Sequence, residues 1–371
     1  MKVGIPREVK NHEYRVAITP AGVRELVGHG HEVFVEKSAG EGSALGDDAY
    51  AAAGARILPD PDEVWGACGL VLKVKEPVPE EYHRLRPGLV LFTYLHLAAS
   101  QACTDALLDN RVTGIAYETV QSGDGSLPLL APMSEVAGRL APQVGAYHLM
   151  RPGGGYGALL GGVPGARPAS VVIIGGGTSG AQAAQIAAGL GASVTVLDKD
   201  VARLRQIDAV YQGRVVTVAS SAHEVERSVR EADLVIGAVL VPGAKAPTVV
   251  PSALVREMKP GSVLVDIAID QGGCFEDSHP TTHADPVFTV GNSVFYCVAN
   301  MPGAVPHTST HALTNVTLPY TLALAGRGWK EALRADAALA RGLNTHDGQL
   351  TSAPVARAHG YDCVPVAEAL H

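Results

Sequence analysis

The sequence predicts an α/β protein of two doubly wound parallel-sheet domains, and three observations predict it. Apolar runs of strand length alternate with helix-patterned stretches along most of the chain. The runs are continuous rather than alternating, the pattern of strands covered on both faces. At 371 residues the chain is also long for a single core. Composition agrees: 47% of residues are hydrophobic, only 5% are aromatic, and 42 are glycine, which suits short buried strands, small-residue helices and tight turns.

In the first part the predicted strands are residues 2–5, 31–36, 70–75, 88–94 and 112–118. Thr19-Pro20 reads as a helix N-cap with proline at the first helical position, and Gly28 or Gly30 as the stop. The second part repeats the scheme at 170–174, 193–198, 214–219, 233–239, 262–270 and 294–300. The segment 151–168, rich in glycine and proline, is predicted as loop. Beyond Asn300 helices are predicted at 309–325 and 329–341, with no further sheet. That tail is too short for its own core, so it is expected to pack on one of the two domains.

A formal net charge of −8 argues against nucleic acid as a partner, because a nucleic-acid binder normally carries a basic face. The opening MKVGIPREVK has no apolar signal core, and no segment approaches the uninterrupted apolar length that spans a bilayer. Cys68, Cys103, Cys274, Cys297 and Cys363 form no C-x-x-C pair, and are expected to be buried free thiols in a reducing compartment. The location these features predict is cytoplasmic.

Ile173-Ile174-Gly175-Gly176-Gly177-Thr178-Ser179-Gly180 follows a predicted strand and opens an alanine-rich helix. Gly175, Gly177 and Gly180 fit G-x-G-x-x-G. The first permits a tight turn, the second lets backbone approach a pyrophosphate, and the third lets helix and strand pack closely. The helix N-terminus, at Thr178 and Ser179, then offers unpaired N–H groups to phosphate. The next strand ends in Asp198, where a carboxylate takes ribose hydroxyls and repels a 2′-phosphate. The domain is therefore expected to be Rossmann-like and to bind NAD rather than NADP, although Lys199 and Arg203 lie close by. Val239 and Leu240, ending another strand, line the adenine–ribose side or simply pack the core.

Ligands in open parallel sheets collect at the carboxyl ends of strands. In the first sheet Arg15 lies in the loop after the first strand, Lys75 closes LVLKVK, and His96 follows LVLFTY. In the second, Asp270 closes SVLVDIAID and Asn300 closes SVFYCVAN. Facing sheets are expected to bring these five to one interdomain cleft, with Asn300 grouped with the cofactor. Arg15 offers a fork matched to a carboxylate. Lys75 can hold a carboxylate or polarise a ketone oxygen, and His96 can exchange a proton near neutral pH. Asp270 can orient water or ammonium, or steady a ribose. His279 and His283 have helical metal spacing, but Pro280 between them argues against a preformed zinc site. No metal is predicted. Ser134 reads equally as the N-cap of a helix over 134–140 or as a cofactor contact.

At these residues the chain resembles a known family. Gly4-Ile5-Pro6-Arg7-Glu8, Asn11, Glu13, Arg15-Val16-Ala17 and Thr19-Pro20 resemble the N-terminal signature shared by alanine dehydrogenases and the NAD-binding component of proton-translocating transhydrogenases. Five further blocks are similar to alanine dehydrogenases specifically. They are Lys73-Val74-Lys75-Glu76-Pro77, Thr93-Tyr94-Leu95-His96, Pro132-Met133-Ser134-Glu135-Val136-Ala137-Gly138-Arg139, Asp270-Gln271-Gly272-Gly273-Cys274 and Asn300-Met301-Pro302-Gly303-Ala304-Val305-Pro306.

The resemblance implies a substrate domain of residues 1–130 with 305–371, interrupted by an NAD-binding domain of residues 131–304. It implies Arg15 and Lys75 as substrate ligands and His96 and Asp270 as the acid–base pair. It places Ser134, Asp198, Arg203, Ser220, Val239, Leu240, Ile267 and Met301 on the cofactor. The activity implied is reversible, NAD-dependent oxidative deamination of L-alanine to pyruvate and ammonia by a homohexamer. Ser179 stands where the family usually has a small apolar residue. Ala323 and Arg327 replace an acidic residue and a histidine of some relatives, which argues against a metal there. Two rival readings are a hydride-transferring component that works with a partner protein, and a module that senses NAD without turnover. A dehydrogenase of another small amino acid is a variant of the main reading.

Overall fold

A computed structural model describes residues 1–239 and 246–371, so Leu240 lies outside the described residues. Within them the chain forms two compact units, Met1–Met133 with Val305–His371, and Ser134–Ala304.

The first unit is built on the strands β1 (Lys2–Ile5), β2 (Glu32–Glu36), β3 (Arg56–Leu58), β4 (Leu70–Leu72), β5 (Val90–Thr93) and β6 (Thr113–Ala116). They are parallel and lie in the order β3-β2-β1-β4-β5-β6. The order reverses between β1 and β4, where an open α/β sheet places its ligand crevice. Between β1 and β2 runs the helix Pro20–Gly28, capped as the sequence predicts: the Thr19 hydroxyl accepts from the Gly22 N–H at 3.3 Å.

The second unit repeats the plan with β7 (Ser170–Ile174), β8 (Ser193–Asp198), β9 (Val215–Ala219), β10 (Leu234–Gly237), β11 (Val263–Asp266), β12 (Val287–Val290) and β13 (Ser293–Tyr296). The order is β9-β8-β7-β10-β11-β13, with β12 antiparallel on the edge. Side chains along a strand point alternately to the two faces. Val171, Ile173, Leu234 and Ile236 accordingly pack in one core cluster, and Val172, Ile174, Val235 and Leu264 in another. Both faces are covered at the sheet centre, which is why the inner strands carry apolar residues on both faces.

The predicted fold class is the observed one, with corrections at edges and ends. A sheet element does follow Asn300. Strands β14 (Leu343–His346) and β15 (Gln349–Leu350) form a hairpin, and β14 adds antiparallel to β6. Its two-residue turn is Asp347-Gly348, both at positive φ (47° and 79°), the geometry that Asp-Gly favours. Strands β3 and β12 were also unpredicted; both are short and lie at sheet edges. The segment 151–168 is loop apart from a 3-10 turn at Arg151–Gly153 and an isolated bridge, Val163 to Ala166. Cys68, Cys103, Cys274 and Cys297 are buried as expected, whereas Cys363 is exposed. Among the described residues no helix is long and apolar enough to cross a membrane.

Candidate active site

Three predicted strand ends sit beyond their strands. Strand β4 stops at Leu72, so Lys75 lies in the following loop. Strand β11 stops at Asp266 because that side chain accepts from the Ala268 N–H at 3.0 Å, starting the 3-10 turn Ile267–Gln271. Asp270 belongs to that turn. Asn300 lies past the end of β13, just before the 3-10 turn Met301–Ala304.

At the carboxyl edge of the first sheet, Arg15 is only 2% exposed. Glu13 takes one edge of its guanidinium, with Nε to Oε1 at 2.6 Å and Nη2 to Oε2 at 2.5 Å. Nη1 sits 3.0 Å from the Met133 sulfur. The loop carrying Lys75 is held from below by a buried triad. Lys73 Nζ donates to Glu8 (3.0 Å) and Glu81 (2.9 Å), and the other Glu8 oxygen accepts from the Val74 N–H at 2.6 Å. Burial lifts the Glu8 carboxyl to about 6, against the pull of Lys73. Lys75 itself is half-buried, and its ammonium makes no hydrogen bond or ion pair among the described residues.

The Lys75 and His96 segments are stitched together. The Tyr94 N–H donates to the Val74 carbonyl at 3.2 Å, and the Thr93 hydroxyl donates to the Lys75 carbonyl at 3.0 Å. His96 adopts φ 47°, ψ 36°, a left-handed conformation that costs a residue with a Cβ about 1–2 kcal/mol. Glu118 compensates: its carboxylate accepts from the backbone N–H of Leu95 (3.2 Å) and of His96 (2.6 Å). Tyr94 lies beside His96. Its ring centroid is 5.7 Å from that of His96, and the Arg15 charge opposes the rise in its phenol caused by burial.

The carboxyl edge of the second sheet carries the cofactor candidates. In strand order it presents Asn300 and Met301 after β13, Ile267 and Asp270 after β11, Val239 after β10, Gly175–Gly180 after β7, Asp198 ending β8, and Ser220 after β9. The glycines differ in what demands them. Gly175 has φ 104°, and a Cβ there would lie 2.5 Å from the Ala238 carbonyl oxygen; at Gly180 it would lie 1.8 Å from the Gly175 oxygen. At Gly177 a Cβ would meet only Arg203 Nη1, at 3.6 Å. The protein's own packing leaves room there, at the N-cap of the helix Thr178–Gly189, so this turn fits the close approach of a pyrophosphate.

Asp198 accepts from the Gly176 N–H at 2.6 Å and the Asp200 N–H at 2.7 Å. Arg203 Nη1 is 3.8 Å from it, and the Ser220 N–H donates to its carbonyl at 2.9 Å. Met301 is buried in the core and Asp270 is exposed. Ser134 lies inside the helix Ala131–Leu149 and does not cap it. That helix lies against the glycine-turn helix, since a Cβ on Gly138 would fall 2.2 Å from the Ser179 carbonyl oxygen.

Sequence reasoning assigned no role to Glu13, Glu76, Glu118 or Asp266. Asp266 is fully buried and gathers the 3-10 turn with the loop after it, accepting from Cys274 N–H at 2.8 Å and Ser278 Oγ at 2.6 Å. Burial raises its carboxyl in spite of those bonds. The usable signal was a carboxylate inside or beside an apolar run, where only a pairing role makes it tolerable.

Family models of the alanine dehydrogenase/PNT N-terminal and C-terminal domains match residues 4–137 and 141–353. The chain belongs to the alanine dehydrogenase/PNT family. An alanine dehydrogenase of Mycolicibacterium smegmatis is 64% identical over 357 residues, 96% of each chain. A solved L-alanine dehydrogenase superposes with a TM-score of 0.94 at 50% identity, covering 97% of this chain and 99% of that one. A transhydrogenase from Sinorhizobium meliloti gives a TM-score of 0.80 at 24% identity over 95% of this chain and 99% of that one, a likeness of fold. Family membership bears out the resemblance read from the sequence blocks and joins both edges to one class of dehydrogenase.

Proposed function

We propose that this protein is an NAD-dependent dehydrogenase that reversibly deaminates L-alanine to pyruvate and ammonia. The observation that carries the reading is the first sheet's edge, where a buried Arg15, a Lys75 anchored through its carbonyl and a backbone-anchored His96 share one place in the fold. That set suits a small 2-oxo or 2-amino acid: two cations for its carboxylate and one proton carrier for the oxygen or nitrogen on its reacting carbon. The near-full-length likeness to alanine dehydrogenases supports alanine as that acid.

In this reading residues 1–130 with 305–371 bind the substrate and residues 131–304 bind the cofactor. NAD, when bound, supplies the hydride acceptor. Gly175, Gly177, Gly180 and the helix N-terminus at Thr178 and Ser179 receive its pyrophosphate, and Asp198 its adenosine ribose. Ser134, Arg203, Ser220, Val239, Leu240, Ile267, Asn300 and Met301 complete the cofactor set. Arg15 holds the substrate carboxylate, and Lys75 holds it or polarises the oxygen of pyruvate. His96 exchanges the proton of the attacking water and of the carbinolamine hydroxyl. Asp270 steadies the second polar partner, ammonium or ribose. The resemblance also supports a cytoplasmic homohexamer.

The test is His96→Ala. Loss of a positioned proton-transfer group costs roughly 10²–10⁴ in rate, and the expected result is a fall of that size in both directions with NADH affinity retained. Turnover within a few-fold of wild type would make His96 a structural residue.

A further inference from the structure

Beside His96 lies a carboxylate to which the proposed mechanism gives no work. Oε2 of Glu76 is 3.7 Å from Nδ1 of His96. Both atoms are buried, and neither has a hydrogen-bond partner among the described residues. Two orphaned polar atoms facing each other slightly beyond bonding distance are a pair waiting to tighten, and catalytic hydrogen bonds are often long before substrate binds. Glu76 is pinned from its other side, where Oε1 pairs with Lys10. Its backbone cannot drift either, because Thr93, three residues before His96, holds the Lys75 carbonyl.

We infer that Glu76 is the positioning residue of His96, accepting its Nδ1–H and so leaving Nε2 to exchange the substrate proton. The inference rests on the reading of His96 given above and deepens it. An ionised carboxylate accepts hydrogen bonds and donates none. Burial works to raise the Glu76 carboxyl, but His96, Lys75 and Lys10 prevail and hold it at about 2, so it is an anion at working pH. Facing Nδ1 it selects one tautomer of the neutral ring, with hydrogen on Nδ1 and a lone pair on Nε2. The side chain is 32% exposed although Nδ1 is buried, so the accessible part of the ring is the part the reaction needs. In deamination water adds to the imine carbon: the C–O bond forms and the C=N electron pair moves to nitrogen as the water O–H breaks and Nε2–H forms. The imidazolium, stabilised by Glu76, gives that proton to the amino nitrogen. That nitrogen leaves as ammonia when the carbinolamine collapses and Nε2 takes the hydroxyl proton. In the reverse direction Nε2–H returns its proton to the departing hydroxyl. No further acid or oxidant is required for this proton exchange.

Two measurements test the assignment. A neutron structure of the wild-type protein at alkaline pD should show deuterium on Nδ1 of His96 and none on Nε2; deuterium on Nε2 alone overturns it. In steady-state pyruvate reduction, Glu76→Gln should lower kcat by ~10²-fold or more, as amide replacement does in other carboxylate–histidine pairs. KM for pyruvate and Kd for NADH should stay within about threefold, Glu76→Asp should recover part of the loss, and Glu76→Gln should cost little more in a His96→Ala background. A kcat near wild type, or a loss confined to KM, overturns the assignment. If His96→Ala is itself near wild type, the reading of His96 fails. If His96→Ala is impaired and Glu76→Gln is not, only the present inference fails.

Discussion

Arg15 carries its charge in a place almost closed to solvent, and Glu13, two residues earlier, makes that tolerable by taking one whole edge of the guanidinium. Leaving either member of such a pair alone costs about 3–5 kcal/mol. The same economy recurs at Lys73 between Glu8 and Glu81, and at His96 on Glu118. Arg15 depends on a carboxylate two residues away, and His96 on one that only tertiary structure brings to it. That dependence marks the limit of what single residues disclosed in the sequence. Arg15, Lys75 and His96 stood out because basic residues near strand ends have few other uses. Glu118 is 22 residues from His96 along the chain, and no local pattern joins them. At Asp198 the chemistry is more legible, and it yields a prediction at this scale. Asp198→Ala removes the acceptor that holds the Gly176 and Asp200 N–H groups and the charge that repels a 2′-phosphate. NADH titrations should show weaker binding and a narrower preference over NADPH. An unchanged preference would remove Asp198 from the ribose site.

Among elements, the strands buried on both faces were legible and the edges were not. A run such as Val171–Val172–Ile173–Ile174 must be covered on both sides, and only a parallel sheet between helices does that cheaply. Edge strands lack this signature: β3 and β12 are only partly buried. The hairpin of β14 and β15 carried a legible turn, Asp347-Gly348, but little apolar sequence flanks it. Strand ends were overrun because apolar character persists past the last ladder bond, as in Ile267–Ile269 beyond β11. The glycine turn makes a prediction that separates packing from binding. Gly180→Ala drives a Cβ into the Gly175 carbonyl at 1.8 Å, so thermal unfolding should reveal a loss of about 1–3 kcal/mol or more. Gly177→Ala has space and an ordinary backbone conformation (φ −69°, ψ −164°). It should stay within about 0.5 kcal/mol of wild type while binding NADH more weakly. Wild-type NADH affinity in Gly177→Ala would contradict the assigned path of the pyrophosphate.

At the scale of the whole molecule the chain uses one plan twice. Both units place six parallel strands in the same order and add antiparallel strands at an edge, and both offer their polar residues where strands end. One edge is glycine-rich at a helix N-terminus and carries Asp198, suited to a dinucleotide. The other presents Arg15, Lys75 and His96, suited to a small acid. The net charge of −8 says little about either, because the chemistry is local. In the sequence it is the glycine spacing and the residues at strand ends, with the family resemblance, that point to such a division. The identity of the small acid was not legible from spacing, since a carboxylate ligand set serves many 2-amino acids, and it enters through likeness to alanine dehydrogenases. The decisive measurement is NADH formation from the purified protein, NAD and a panel of small L-amino acids, with no partner protein present. Turnover with L-alanine should exceed the rates with glycine, L-serine and L-2-aminobutyrate, with pyruvate formed in equal amount to NADH. No NADH above background with L-alanine would rule out an alanine dehydrogenase activity.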